Sequence, residues 1–172
     1  AVILEGLARL LPDLAVVSEE SGLTGAEIGP CFVLVDPLDG TREFIKKNGE
    51  FTVNIALIEN GEPILGVVYA PVIDWLLVGG RGFGAHWHKA GNSGIATVAE
   101  SVVPLRVAAS RSHRDEKTQG YLDRMGSADT FGIGSSLKFC KIATGEIDLY
   151  PRFGPTSEWD TAAAQAVLEA AG

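Results

Sequence analysis

Apolar and polar positions along the 172 residues divide the chain into short segments of two periods. Val2 to Leu11 repeats its apolar residues at helical spacing, and Pro12 closes that helix. Leu14 to Val17 is a short apolar strand that delivers Ser18, Glu19 and Glu20. The Gly-rich stretch 21–30 is turn-like and predicts a surface loop. Cys31 to Val35 is a second apolar strand, running into "DPLDGT" and a short helical turn over 41–46. Phe51 to Ile58 and Ile64 to Ala70 are rich in β-branched and aromatic residues, and Asn60-Gly61 between them predicts a hairpin. Trp75 to Val78 and Phe83 to His88 read as further strands around Gly79-Gly80, and 89–103 as a polar loop. Leu105 to Ala109 is a strand and 110–126 a polar-start helix. Residues 134–145 form a helix ended by Gly145, Ile147 to Tyr150 a strand, and 157–172 a final helix. The order is mixed, without repeats, and predicts one layered α/β or α+β domain over 1–172 rather than a doubly wound sheet.

Composition narrows the class. With 46% hydrophobic and 21% charged residues the chain is an ordinary globular one, and no apolar run approaches bilayer length. A net charge of −8 argues against a general nucleic-acid binder, which needs a basic surface to displace counterions. A local basic pocket for one small anion stays compatible with it. Cys31 and Cys140 fit free thiols in a reducing compartment, which places the protein in the cytoplasm, with a peripheral position on the inner membrane face left open.

The carboxylates carry the chemistry. Turn formation alone accounts for Asp, Pro and Gly in "DPLDGT". However, "SEE" stands in the same strand-end context, so two strands ending in acids bring four carboxylates towards one sheet edge. Asp160, in the first turn of the last helix, is also favoured there by the helix dipole. Two negative charges about 4 Å apart repel by about 4 kcal/mol at an effective dielectric of 20, so a tight group of acids calls for a cation or a proton. Oxygen ligands without Cys or His select Mg²⁺ or Ca²⁺ over zinc, and Mg²⁺ shares its shell with waters and phosphates. Metal-assisted phosphoryl transfer follows. Gly40 permits close approach of backbone to a phosphate, and Thr41 supplies a hydroxyl to orient a water.

"SEE" (18–20), "DPLDGT" (36–41) and "WDTAA" (159–163), in this order, resemble the lithium-sensitive, magnesium-dependent phosphatase superfamily that includes the inositol monophosphatases. "VDPLDGTREFIKKNGEFTVNIALIENGEPILGVVYAPV", "SRSH", "GSSLKFC" and "YPRFGPTSEWDTAAAQAV" are similar to its CysQ-type 3′(2′),5′-bisphosphate nucleotidases. The likeness covers nearly the whole chain. It implies an αβαβα sugar-phosphatase fold, two or more Mg²⁺, and hydrolysis of the 3′-phosphate of adenosine 3′,5′-bisphosphate to AMP. Position by position it implies metal ligation by Glu19, Asp36, Asp39, Asp160 and the carbonyl of Leu38. Thr41 with Glu19 matches the pair that activates water, with Asp39 beside them in the catalytic group. Gly40 and Thr41 match phosphate-binding backbone, and His113, Ser135, Lys138 and Arg152 match contacts to the nucleotide or its second phosphate. The family pattern has a further acid and helices before "SEE" and a strand after the last helix, so the chain reads as a piece of a longer protein. The rival readings are an inositol or fructose phosphate phosphatase and a non-catalytic metal- or nucleotide-binding module.

Other residues are weighed beside these. Glu20 reads as an acid at the site's edge. Ser135 and Lys138, three apart, share a face of the helix expected over 134–145. His86 and His88 flank Trp87 on one strand face, a zinc-like spacing without a third ligand. Lys46 and Lys47 read as a solvated pair. The Ala-rich run 162–171 predicts close helix packing.

Overall fold

The computed structural model describes residues 2–24, 27–110 and 116–172. Its centre is an eight-stranded sheet. β1 (Ala15–Ser18) and β3 (Cys31–Asp39) lie side by side in parallel, with Ser18 opposite Val35. From β3 the chain meanders antiparallel through β4 (Thr52–Glu59), β5 (Glu62–Ala70), β6 (Trp75–Gly80), β7 (Gly84–Lys89) and β8 (Asn92–Ile95). The β4–β5 turn is Asn60-Gly61, both at positive φ (52° and 82°), the conformation a two-residue hairpin turn requires. On the far side of β1, β2 (Gly22–Thr24) forms an antiparallel edge.

Helices cover both faces. The alternation of β4 buries Ala56 and Ile58 on one face, and these join Val68, Trp75 and Leu77 in the main core beneath α4 (Leu137–Ala143) and α5 (Glu158–Ala171). Helix α5 lies close because Gly66 and Gly79 have no side chain. A Cβ on Gly66 would fall 1.9 Å from the carbonyl oxygen of Ala163, and one on Gly79 2.8 Å from Cα of Val167. Ala162, Ala163, Ala164 and Ala166 are buried there, as the Ala-rich run predicts. On the opposite face, Ile3, Leu4 and Leu7 of α1 (Val2–Leu10) pack on Val16, Val33 and Val35. A parallel pair, β9 (Leu105–Ser110) with β10 (Ala128–Ile133), packs beside α3 (Glu116–Arg124) around Val107, Ala109 and Leu122.

Several expectations change. The loop 21–30 contains β2, and the loop 89–103 contains β8, where Gly94 sits against the Trp87 indole. Residues 128–133, read as no element, form β10. Ile147 to Tyr150 makes only an isolated bridge, Leu149 to Val107, because Arg106 and Asp148 occupy the adjoining polar groups. Of the helix expected over 110–126, Glu116–Arg124 is described and is helical. The strand expected to end at Val35 continues to Asp39, with a register shift in its pairing to β4: Asp36 faces Asn54 and Asp39 faces Thr52. In an unbroken strand residues 36 and 39 would point to opposite faces. The extra residue at Pro37–Leu38 makes a bulge that brings both aspartates to one side.

Candidate active site

The parallel pairing of β1 and β3 sets the acids together. Glu19 follows β1 directly, and its N–H donates to the Val35 carbonyl (3.1 Å), placing it next to Asp36. Within the bulge the Leu38 N–H donates to Asp36 Oδ1 (2.9 Å), a side-chain-closed turn, so the turn character of "DPLDGT" and its acid-presenting role coincide. Gly40 then adopts φ 91° to start α2 (Thr41–Ile45), where a Cβ would lie 3.1 Å from the Glu50 carbonyl and 3.2 Å from Ser135 Cβ. Asp160 arrives from the start of α5, where its Oδ2 accepts from the Ser157 N–H (3.0 Å) and the Thr156 hydroxyl (2.8 Å). One carboxylate oxygen each from Asp36, Asp39 and Asp160 lie within 4.8 Å of one another.

These groups open into a cleft of about 840 Å³. Glu19, Asp36, Leu38, Asp39, Gly40, Thr41, Ser135, Lys138, Arg152 and Asp160 all line it. His113 lies outside the described residues. Glu19 and Glu20 both lie in the turn after β1 and are exposed, and of the two Glu19 lines the cleft, so Glu20 does not take the expected place at the site's edge. Ser135 is not helical: its φ is 47° and α4 begins at Leu137, so it shares no helix face with Lys138. Lys138 instead folds back, donating from Nζ to the Ser135 carbonyl, and lies 5.0 Å over the Tyr150 ring. The Arg152 guanidinium donates to the carbonyls of Gly154 and Pro155 (3.3 and 2.8 Å), fixing the loop before Asp160. Thr41 Oγ1 donates to the Leu38 carbonyl at 3.4 Å. His86 and His88 do share an exposed strand face; among the described residues the cluster of three or more metal-type ligands is that of Asp36, Asp39 and Asp160.

The electrostatics mark a crowded anionic site. Burial pushes the Asp36 carboxyl up to about 8, helped by Asp39 and Glu19 and opposed by the Leu38 N–H. Asp39 is raised as well, first by burial and then by Asp160, against the pull of Lys138, the Ser136 N–H and Asn54. Burial lowers Lys138 to about 8, with Arg152 adding to it and Asp39, Glu43 and Glu50 opposing. A group of oxygens without a thiol or imidazole, two of its acids held against ionisation, suits a hard divalent cation. The two cysteines are free, and burial pushes the Cys140 thiol up to about 12, which leaves it inert.

Sequence reasoning missed the groups that hold Asp39. The Ser136 N–H (2.5 Å), the Thr52 hydroxyl (3.2 Å) and the Asn54 amide (3.4 Å) all donate to its Oδ2. A legible signal existed: Thr52 and Asn54 are polar at the alternate positions that continue as Ala56 and Ile58, the core-facing set of β4.

Parallel strands feeding a cluster of acids, a left-handed glycine and a cleft large enough for a small phosphorylated molecule suit metal-dependent phosphoryl transfer. The sequence profile of the inositol monophosphatase family matches residues 1–172, and the chain belongs to that family. It is 53% identical over 173 residues to the 3′(2′),5′-bisphosphate nucleotidase CysQ of Salmonella typhimurium, covering 99% of this chain and 70% of that protein. The CysQ protein of Escherichia coli K12 is 52% identical over the same shares. The crystal structure of CysQ from Bacteroides thetaiotaomicron, described as a bacterial member of the inositol monophosphatase family, superposes with a TM-score of 0.85 at 37% identity, covering 98% of this chain and 70% of that one. The layered α/β fold expected from the sequence agrees with this likeness. No helix among the described residues is long and apolar enough to cross a membrane.

Proposed function

We propose that the protein is a 3′(2′),5′-bisphosphate nucleotidase that removes the 3′-phosphate of adenosine 3′,5′-bisphosphate, giving AMP and phosphate. The observation that carries this is the 52–53% identity to CysQ nucleotidases across 99% of the chain, joined to acids that meet in one cleft. Asp36, Asp39, Asp160, Glu19 and the Leu38 carbonyl would hold Mg²⁺, two or more ions in this reading. Bound cations of this kind supply positive charge that polarises the phosphoryl group and acidifies a water.

The chain's own residues do the rest. Thr41, whose hydroxyl is oriented by the Leu38 carbonyl, aligns the attacking water, and Glu19 accepts its proton. The water oxygen bonds to phosphorus as the bond to the 3′ oxygen breaks, and solvent reprotonates that oxygen. Backbone at Gly40 and Thr41 contacts the transferring phosphoryl group. Ser135, Lys138 and Arg152, with His113, contact the nucleotide and its remaining phosphate, where fixed positive charge offsets a substrate that carries two phosphomonoester groups. The partner is thus a small bisphosphate nucleotide, not a nucleic-acid polymer, and the setting is the cytoplasm.

Phosphate release from adenosine 3′,5′-bisphosphate and from inositol 1-phosphate, each with Mg²⁺, tests the reading. Release from the nucleotide, abolished in Asp39→Asn, is expected. Release from the inositol phosphate alone would replace this reading with the family's other activity.

A further inference from the structure

The network around Asp39 extends beyond the carboxylate. Thr52, Asn54 and Ser136 are all buried, at 0%, 1% and 2% exposure. Thr52 Oγ1 lies 2.7 Å from Ser136 Oγ, which donates to Asn54 Oδ1 at 2.8 Å, so the three side chains form a closed set around Asp39 Oδ2. The Thr52 hydroxyl, the Asn54 amide and the Ser136 N–H all donate to that one oxygen, and Oδ1 takes none of them. The same contacts anchor the turn 134–136. Its Gly134 N–H donates to Glu50 Oε2 (2.8 Å), its Ser135 is left-handed, and its Ser136 N–H reaches Asp39. Both ends of the turn are thus tied to the 39–50 segment, at Asp39 where β3 ends and at Glu50 just before β4.

Polar side chains on the core face of a strand are costly to bury unless bonded. Apolar residues such as Ala56 and Ile58 fill the same face two and four positions on. A closed polar set that ends on one oxygen of a cleft acid therefore has a purpose beyond packing. Resting on the reading of Asp39 as a cation ligand, we infer that Thr52, Asn54 and Ser136 are positioning residues. They clamp Asp39 Oδ2, so that Oδ1 is held ready for a hard cation, and they lock the 134–136 turn to the same carboxylate. Cation binding and the placement of Ser135 on the nucleotide side are then set by one buried unit.

Mn²⁺ binding to the substrate-free protein, followed by the loss of its free-ion magnetic resonance signal, separates this role from simple packing. Thr52→Val should weaken Mn²⁺ binding by about tenfold or more, the usual consequence of losing a partner of a metal ligand, while Thr52→Ser keeps wild-type affinity. With the nucleotide, kcat should fall with the affinity and be recovered in Thr52→Ser. Ser136→Ala, which leaves the backbone N–H to Asp39 in place, should show an intermediate loss and decides the matter if Thr52→Val does not fold. Variants that unfold at lower temperature yet bind Mn²⁺ as wild type does would overturn the inference. Wild-type protein that binds Mn²⁺ but releases no phosphate from the nucleotide would remove the proposed activity alone, with the clamp still decided by the affinities. Wild-type protein that binds no Mn²⁺ would remove both.

Discussion

Asp36 should be a stability liability for the cation-free protein, and replacing it should show how large. Its carboxyl stands at about 8 against an ordinary 3.8, chiefly through burial. Between those values the folded chain holds a proton that the unfolded chain releases, so stability falls as pH rises through that window. The cost is absent below 3.8 and complete above about 8. At 1.36 kcal/mol per unit the difference sums to about 4 kcal/mol at pH 7, and water at the mouth of the cleft screens this to about 2 kcal/mol. Asp36→Asn cannot ionise, yet it keeps an oxygen to accept from the Leu38 N–H. In chelator the variant should therefore melt about 4–8 °C above wild type at neutral pH, given 2–4 °C per kcal/mol in a chain of this size. Near pH 4 the gap should shrink to under about 2 °C, because neither protein then carries the charge. Thermal unfolding by circular dichroism at several pH values measures this, and Mg²⁺ should raise wild type more than the variant. A variant less stable than wild type at pH 8, or a gap that does not change with pH, would refute the argument that burying the Asp36 charge is costly.

Two further outcomes follow from the packing and the charges. Gly66→Ala should destabilise the fold by about 3 kcal/mol or prevent folding, because its Cβ meets the backbone oxygen of Ala163 rather than a movable side chain; a chemical denaturation midpoint unchanged from wild type would contradict the close approach of α5. Lys138, lowered to about 8, should lose its charge as pH rises from 7 to 9, so KM for the bisphosphate should climb over that range. Lys138→Met should raise KM by about tenfold at pH 7, the worth of one charge-assisted hydrogen bond, and flatten the climb; the same slope in both proteins would take Lys138 out of substrate binding.

Local signals served well where the chemistry is local. Asn60-Gly61 announced the hairpin because it is one of the few pairs that accept two successive positive φ values cheaply, and the Ala-rich run announced close helix packing. The acids 19, 36, 39 and 160 stood out because each follows an apolar run or opens a helix whose period is readable in the sequence. Strands β2, β8 and β10 were missed for a shared reason. They are short and polar or Gly-containing, and they exist because a neighbouring strand offers an edge, which no local period records. Ser135 departs from the expected helix because its left-handed backbone sits in a turn held by Lys138, Glu50 and Asp39, two of them distant in sequence.

The chain's own order of residues determined which chemistry was available: oxygen ligands without sulfur or imidazole, a glycine where backbone must approach, and strands that end in acids. Only the tertiary structure decided which of those oxygens meet. Asp36 and Asp39, three apart, would face opposite sides of a regular strand, and the bulge against Asn54 and Thr52 turns them to one side. Glu19 joins them through a parallel pairing, Asp160 through the seating of α5 on Gly66 and Gly79, and Ser136 from 97 residues away. Such contacts are bought with loop closure and burial across the whole domain, so they are properties of the packed sheet and not of any segment within it.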